Sequence, residues 1–508
     1  MCAIIGTWNK EYNPNFVGGN LHKLFNRGPD SNGISSLGKV EFGHTRLAIQ
    51  DLSPAGNQPM FDDENMIMIT YNGELWNKEE IENLLSDKLN YKISYPNDTL
   101  TILNFYKHFC RGKENIKNIR DLNGMIAIGI YDSLYDARIL YRDSVGEKPI
   151  YYNDQRFCTK AEIVSIDKRF DALQVSALLG MGYPIEGLFD DVVELHPGDI
   201  YFNGELFMEE PKKAIFSLEG KYTTFVDKFR ESIRQKFSNM DVPFCLCLSG
   251  GLDSSLILAE FRNIFGYEKE LKTVTISFNT EDDDTKNAKL MAEKFKTTHK
   301  EIFISRDDVL KRLPDVAAMI DVPMDLGSMI PTFIIAETIK TQMPDVKVVI
   351  LGEGADELFF GYKRFIEYAK NPEMNFFDRT LKMNMRFNDS FETMGLKDAR
   401  ALSIESELKR YHMKRIDMIF GDFGLEARCP FLFRDIIEVA ENSDPEENLN
   451  LYLPEDECNK LWIRQRLHEL EVDEKIIRQK KRPLKLFPDM DRIRVELFME
   501  YIKRFKRD

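Results

Sequence analysis

A short apolar run, Phe244 to Leu248, passes straight into Ser249-Gly250-Gly251-Leu252-Asp253-Ser254-Ser255, and a helix-like run, Leu256 to Phe261, starts directly afterwards. Two glycines let the backbone turn tightly and present unhindered N–H groups, the helix adds the positive end of its dipole, and the serine hydroxyls add further donors. The segment is therefore a cradle for phosphate between a strand and a helix. Asp253 is the discordant member. A carboxylate among phosphate-binding donors repels the ligand unless a divalent cation bridges them, so the loop implies a magnesium-bound nucleotide. The Walker spacing, with Lys after Gly, is absent. The bland alternative, a tight connection and nothing more, fits poorly with Gly-Gly, an acid and three serines in seven residues.

The surrounding pattern agrees with a parallel sheet. An amphipathic helix over Thr223 to Phe237 places Val226, Phe229, Ile233 and Phe237 on one face. Apolar runs at Thr273 to Phe278 and Val346 to Leu351 then alternate with helical stretches such as Lys286 to Phe295 and Pro331 to Lys340. Strands alternating with helices predict a parallel sheet with ligands at the carboxyl ends of its strands. The third of these strands runs into a second loop of glycines and acids, Gly352-Glu353-Gly354-Ala355-Asp356-Glu357, and two such loops on one sheet edge make one nucleotide site. The acids at Glu281 to Asp284 read as a solvated loop.

The first ~200 residues read differently. Strand-like runs at Ala3 to Trp8, Val40 to Ile49, Met66 to Tyr71, Gly124 to Tyr131, Arg138 to Arg142 and Pro149 to Tyr152 are interrupted by helix patterns at Lys78 to Leu89 and Thr99 to Phe109, with Asp98 where an N-cap would stand. Helices grouped between strands predict antiparallel sheets covered by helices, an α+β domain. An irregular, charged stretch with Pro211 separates the halves, which places one domain at 2–205, a linker at 206–220 and a second domain at 221–508. A formal charge of −15 disfavours general binding to nucleic acid or anionic membrane and leaves small molecules as partners. No run reaches the length of a membrane span, and the seven scattered cysteines suit reduced, buried thiols, so a cytoplasmic location is expected.

A second chemical centre lies at Cys2. If Met1 is removed, one residue carries both a thiol and an α-amine, and an amine with a pKa near 7.7 to 8.0 can activate the nucleophile. A lone Cys at this position can equally be accidental. Its companions are Arg27-Gly28-Pro29-Asp30, His44-Thr45-Arg46-Leu47-Ala48-Ile49, Tyr71-Asn72-Gly73-Glu74 and Asp98.

Taken together, Cys2, the RGPD run, Asn72-Gly73-Glu74, SGGLDSS, GEGADE and Glu426-Ala427-Arg428-Cys429-Pro430-Phe431-Leu432 make the chain resemble the glutamine-hydrolysing asparagine synthetases. The resemblance implies an N-terminal-nucleophile amidotransferase domain, an α+β four-layer αββα sandwich, followed by an α/β parallel-sheet domain of the ATP pyrophosphatase type. It implies ATP as substrate with Mg²⁺, and it favours aspartate as the acid that is amidated. A homodimer is compatible with it. Cys2 would attack the amide of glutamine, with Asn72 and the Gly73 N–H as oxyanion donors. Arg46 suits the carboxylate of free glutamine and Glu74 with Asp98 its ammonium, and Leu47, Ala48, Ile49 and Gln50 would line the same pocket. The bland readings are a surface ion pair for Arg46 and a helix cap for Asp98.

In the second half the resemblance implies that ATP converts a carboxylate into an acyl-adenylate, that diphosphate leaves into the cradle of Ser249, Gly250, Gly251, Asp253, Ser254 and Ser255, and that ammonia then attacks. Asp253 and Asp356 are the natural magnesium ligands. Glu353 would orient the acceptor or take a proton from ammonia. Leu248, Ile276, Leu351 and Gly352 match positions that enclose the adenosine, and Lys480 matches a lysine that meets the phosphates, although a solvated basic run is its plain alternative. Ser277, Leu351, Phe433, Arg482 and Pro483 depart from the family pattern around the adenosine and acceptor pockets. The segment Asp321 to Thr332 should border the acceptor, and an apolar passage for ammonia should cross the domain interface. Two other functions compete: an amidotransferase acting on another carboxylate, and a catalytically silent binding relative, against which the retained Cys2, Asp253, Glu353 and Asp356 argue.

Overall fold

The computed structural model describes residues 1–508 except 182–183, 185–186, 210–219, 239, 278–282, 325, 372–394, 480–489 and 505–508. Its first half contains two six-stranded sheets, both antiparallel throughout. One is centred on Ala3–Thr7 between Arg156–Cys158 and Val40–Arg46; the other on Gly124–Asp132 between Ile67–Leu75 and Ala137–Arg142. Gly124–Asp132 is an almost unbroken apolar strand because both of its faces are buried. Alternate residues Ile126, Ile128 and Ile130 meet Ile81, Leu85, Ile102 and Phe105 of the covering helices Lys78–Leu89 and Asp98–Phe105. Ala127 and Tyr131 point the other way, into Ile4, Trp8, Phe42 and Phe157 of the facing sheet. The last strand, Glu205–Phe207, pairs with Ile200–Phe202 and carries the sheet two residues into the segment read as linker.

The second half is built on a five-stranded, wholly parallel sheet ordered Thr298–Phe303, Lys272–Ser277, Phe244–Cys247, Val348–Ile350, Glu426–Arg428. From Phe244–Cys247 the chain winds outward to one side, then returns and continues on the other. The order therefore reverses between Phe244–Cys247 and Val348–Ile350, where the loops after the two strands open a crevice. The sequence pattern lacked two of the five strands: Thr298–Phe303 is a half-exposed edge strand of mostly polar residues, and Glu426–Arg428 is a three-residue strand with two charges. The helix expected from Pro331 begins at Leu326 and carries Pro331 inside it.

One apolar core crosses both halves, joining Ile5, Val17, Leu21 and Tyr151 to Leu246, Ile350, Ile419 and Leu425. Ion pairs cross the same junction, three of them buried, Arg27 with Asp417 at 2.6 Å, Arg428 with Glu74 at 3.2 Å and Lys236 with Glu147 at 3.6 Å, and one half-buried, Lys160 with Asp422 at 2.6 Å. The described interface is thus apolar packing laced with paired charges. All seven cysteines are free thiols, five buried and two half-buried.

Candidate active sites

Cys2 immediately precedes the strand Ala3–Thr7, so the register of one sheet positions it: Ala3 faces Thr45, and the Cys2 thiol points to the Leu47 carbonyl at 3.8 Å. Burial pushes the thiol pKa up; the N-terminal amine and Arg46 are close enough to oppose the shift. Met1 is buried, its amine 3.4 Å from the Leu425 carbonyl oxygen, and burial lowers that amine to about 5. The Arg27 guanidinium ties this end down by donating to the Cys2 carbonyl at 3.2 Å while it grips Asp417.

Asn72, Gly73 and Glu74 lie in the strand Ile67–Leu75. The Asn72 side chain is buried and its Nδ2 has no hydrogen-bond partner among the described residues, a donor left open as an oxyanion site requires. A Cβ at Gly73 would stand 1.8 Å from the Met125 carbonyl oxygen, so no other residue fits there. Glu74 is buried with Oε2 against Arg428 and Oε1 without a hydrogen-bond partner among the described residues, and burial holds its pKa well above the carboxylate range despite Arg428.

Asp98 is not the helix cap. Asn97, in extended conformation, accepts from the Leu100 N–H, which leaves Asp98 as the first helical residue with its carboxylate turned back to the Leu75 N–H at 3.3 Å. Burial raises Asp98 to about 6. Arg46 is not a surface ion pair. Its guanidinium is buried and donates to the carbonyls of Gln50, Asp51 and Ser53 and to the Asn57 side chain, folding loop 47–57 around itself. Leu47, Ala48 and Ile49 are buried, and Gln50 is half-buried. Ala48 and Ile49 reach the other half through Lys347 and Asp241.

In the second half, the two loops expected to share a site are neighbours. Leu246 pairs with Ile350 in parallel register, and a Cβ at Gly352 would stand 3.2 Å from the Cβ of Asp253. Gly250 turns with φ +79°, and a Cβ there would meet the Asp284 carbonyl oxygen at 2.0 Å. Ser249 and Ser254 hydroxyls bond each other at 3.0 Å, and the buried Ser255 hydroxyl has no partner among the described residues. Leu248, Ile276 and Leu351 lie at the same carboxyl edge, Leu248 bonded to the Val274 carbonyl and Leu351 to that of Arg428.

Asp253 and Asp356 do converge, on Lys460. Its Nζ lies 2.6 and 2.7 Å from the two Asp253 oxygens and 2.7 Å from Asp356 Oδ1, with the lysine side chain 2% exposed. Two carboxylates from different loops aimed at one point form a donor set that suits a hard divalent cation. Sequence reasoning missed Lys460, which opens the helix Leu461–Glu469 in a left-handed conformation and carries no local signal of its partners.

Glu353 is held by Arg415 at 2.6 Å. Asp321, the first residue of the segment expected to border the acceptor, accepts from the Ala161 and Glu162 N–H groups of the other half. Lys480, Arg482, Pro483, Glu281 and Asp325 lie outside the described residues; Asp283 and Asp284 open the helix Asp283–Lys294.

A family model described as asparagine synthase matches residues 224–504, more than half of the chain. The chain belongs to the asparagine synthase family. A glutamine amidotransferase domain model matches residues 1–208. Similar curated proteins are the glutamine-hydrolyzing asparagine synthetases of Asparagus officinalis (27% identical, 84% of this chain and 66% of that protein), Triphysaria versicolor (27%, 84% and 67%) and Arabidopsis thaliana (26%, 87% and 69%). The chain spans about two thirds of the length of these relatives. Among solved structures, glutamine phosphoribosylpyrophosphate amidotransferase from B. subtilis aligns at 16% identity over 69% of this chain and 81% of that one, with a TM-score of 0.31, a likeness too remote to bear on the site. No helix among the described residues is long and apolar enough to cross a membrane.

Proposed function

We propose that the chain is a glutamine-hydrolysing asparagine synthetase: it takes ammonia from glutamine, activates the side-chain carboxylate of aspartate with ATP as an acyl-adenylate, and forms asparagine with glutamate, AMP and diphosphate. In this reading residues 2–205 form an N-terminal-nucleophile glutaminase sandwich, and 221–508 an ATP pyrophosphatase-type synthetase domain. The observation that carries it is the meeting of two acid-bearing loops at the strand-order reversal of the parallel sheet, with Asp253 and Asp356 aimed at one nitrogen.

Once Met1 is removed, Cys2 serves as nucleophile and its α-amine as base. Asn72 and Gly73 hold the oxyanion. Arg46, with loop residues Leu47, Ala48, Ile49 and Gln50, takes the glutamine carboxylate, and Glu74 with Asp98 the ammonium. In the other half Ser249, Gly250, Gly251, Ser254 and Ser255 cradle the departing diphosphate, and Leu248, Ile276, Leu351 and Gly352 border the adenosine. Asp253 and Asp356 would hold Mg²⁺, which supplies charge neutralisation on the phosphates, and Lys460 is the internal cation that keeps the two carboxylates together. Glu353 receives the proton as ammonia attacks the adenylated carboxyl, with Lys480 near the developing charge. The reading implies a cytoplasmic enzyme of small-molecule substrates, and a pair of chains is compatible with it.

Purified protein given Mg²⁺-ATP and glutamine should release diphosphate when aspartate is added. Release with another acid but not with aspartate would overturn this assignment.

A further inference from the structure

Among the described residues, a buried side chain not assigned above, His412, faces Glu353. His412 ends the helical segment Ser403–His412, and Arg415 follows one turn later on Met413–Asp422. The two point at the same atom. Arg415 Nη2 lies 2.6 Å from Glu353 Oε1, and His412 Nδ1 lies 3.5 Å from it. His412 Nδ1 is also 3.3 Å from Glu357 Oε1, which accepts in turn from the Tyr362 hydroxyl at 2.6 Å. The holders are buried, with side-chain exposures of 11% for His412, 7% for Arg415 and 1% for Glu357, whereas Glu353 keeps 29%. Glu353 thus reaches the open site from a sealed bracket of cations.

We propose that His412 is a positioning residue for Glu353 in amide formation, an inference that rests on the asparagine-forming reading above. In that step the nitrogen nucleophile bonds to the adenylated carboxyl carbon, the carbon–oxygen bond to AMP breaks, and a proton passes from nitrogen to Glu353. The carboxylate must meet that proton in one rotamer. Arg415 alone fixes one oxygen of a long, rotatable side chain; a second cation on the same oxygen, approached from one helical turn away, fixes its direction.

Chemistry also dictates the form of the imidazole. A bare Nδ1 lone pair facing two carboxylates is repelled by both, so Nδ1 carries a hydrogen, and the imidazolium is the better partner. The charged and titratable groups around it are Glu353, Glu357 and Tyr362 from the loop and helix after the parallel strand, and Tyr411 and Arg415 from its own helix. Burial by itself lowers the His412 pKa; the contact with Glu353 and the charge of Glu357 outweigh it, and the pKa ends above its ordinary value. The bracket is therefore complete while the imidazole is charged and loosens as pH rises and that charge is lost.

The test uses the full chain with Mg²⁺-ATP, aspartate and hydroxylamine, whose uncharged nitrogen replaces ammonia and whose aspartyl hydroxamate product is read by its iron colour. His412→Gln should lower kcat for hydroxamate by up to about 100-fold with KM for ATP little changed, as loss of alignment at a reacting group does. Wild-type activity should fall on the alkaline side, and that limb should vanish in His412→Gln. His412→Lys, which restores a cation, should recover part of the rate. Glutaminase activity at Cys2 reports that the fold is intact in each variant. A folded His412→Gln with wild-type kcat and an unchanged alkaline limb overturns the inference while leaving the enzyme's function standing. If His412→Gln does not fold, a folded His412→Lys without activity overturns it equally. Absence of any aspartate-dependent product from wild type overturns the functional reading and this inference together.

Discussion

Replacing Lys460 by Met keeps the length and apolar stem of the side chain and deletes its charge, which makes it a direct test of the carboxylate pair. In the wild type one ammonium touches three carboxylate oxygens at 2.6 to 2.7 Å. Both acids are therefore held with their nearest oxygens no more than about 5 Å apart, and with an effective dielectric of about 20 two unit charges at that separation repel by about 3 kcal/mol. The two aspartate side chains are 13% exposed, so solvent screening is modest. Lys460→Met removes the attractions that offset this repulsion and leaves the buried carboxylates uncompensated, which should cost metal-free protein about 3 kcal/mol or more, for a chain of this size a drop of several degrees in melting temperature. Mg²⁺ should then restore the variant far more than it raises the wild type, because a divalent cation can take the vacated position between the same oxygens. The assay is a thermal melt of both proteins in chelator and in millimolar Mg²⁺, with diphosphate release measured alongside. Equal melting temperatures in chelator, or an equal Mg²⁺ response in both proteins, would refute the argument that these carboxylates form one cation site.

Further outcomes follow from other parts of the structure. Cys2→Ala should abolish use of glutamine and leave synthesis from free ammonia, measured as asparagine formed from each nitrogen source. Because burial raises Asp98 to about 6, its carboxylate is charged above that pH and neutral below it. The KM for glutamine should therefore rise as pH falls through 6, and Asp98→Asn should raise KM at pH 7.5 and flatten the profile. The same shift has a sign in stability: between about 3.9 and about 6 the folded state binds more protons than the unfolded one, so wild-type stability falls as pH rises through that window. Asp98→Asn should melt higher than wild type at pH 7, with the difference closing toward pH 4. Arg27→Leu removes a buried partner of Asp417 and a donor to the Cys2 carbonyl, and should cost about 3 kcal/mol or more in denaturant unfolding while lowering glutaminase kcat.

Much of the architecture was readable because it is local. The helix Lys78–Leu89 falls where its apolar period places it, and the cradle follows its strand as expected, although the helix starts earlier than its apolar run suggested: Leu252 to Ser255 already form the first turn of Leu252–Phe265, with Gly251 as its cap. Where patterns failed, the cause is equally local. Glu426–Arg428 is too short and too charged to look like a strand, yet it sits buried at a sheet edge because Glu426 and Arg428 satisfy each other at 2.8 Å and Arg428 reaches Glu74 in the other half.

Residue types and spacings by themselves picked out the two candidate centres, Cys2 with its companions and the paired acidic loops, since each motif is a stretch of backbone whose geometry its own residues dictate. Only the tertiary structure decided which distant cation answers which carboxylate: Lys460 for Asp253 and Asp356, Arg415 and His412 for Glu353, Arg428 for Glu74. The physical reason is that a buried carboxylate must find a charge or a proton, and any basic residue that folding brings within about 4 Å will serve. Nothing in the spacing of 207 positions between Asp253 and Lys460 marks that meeting in advance.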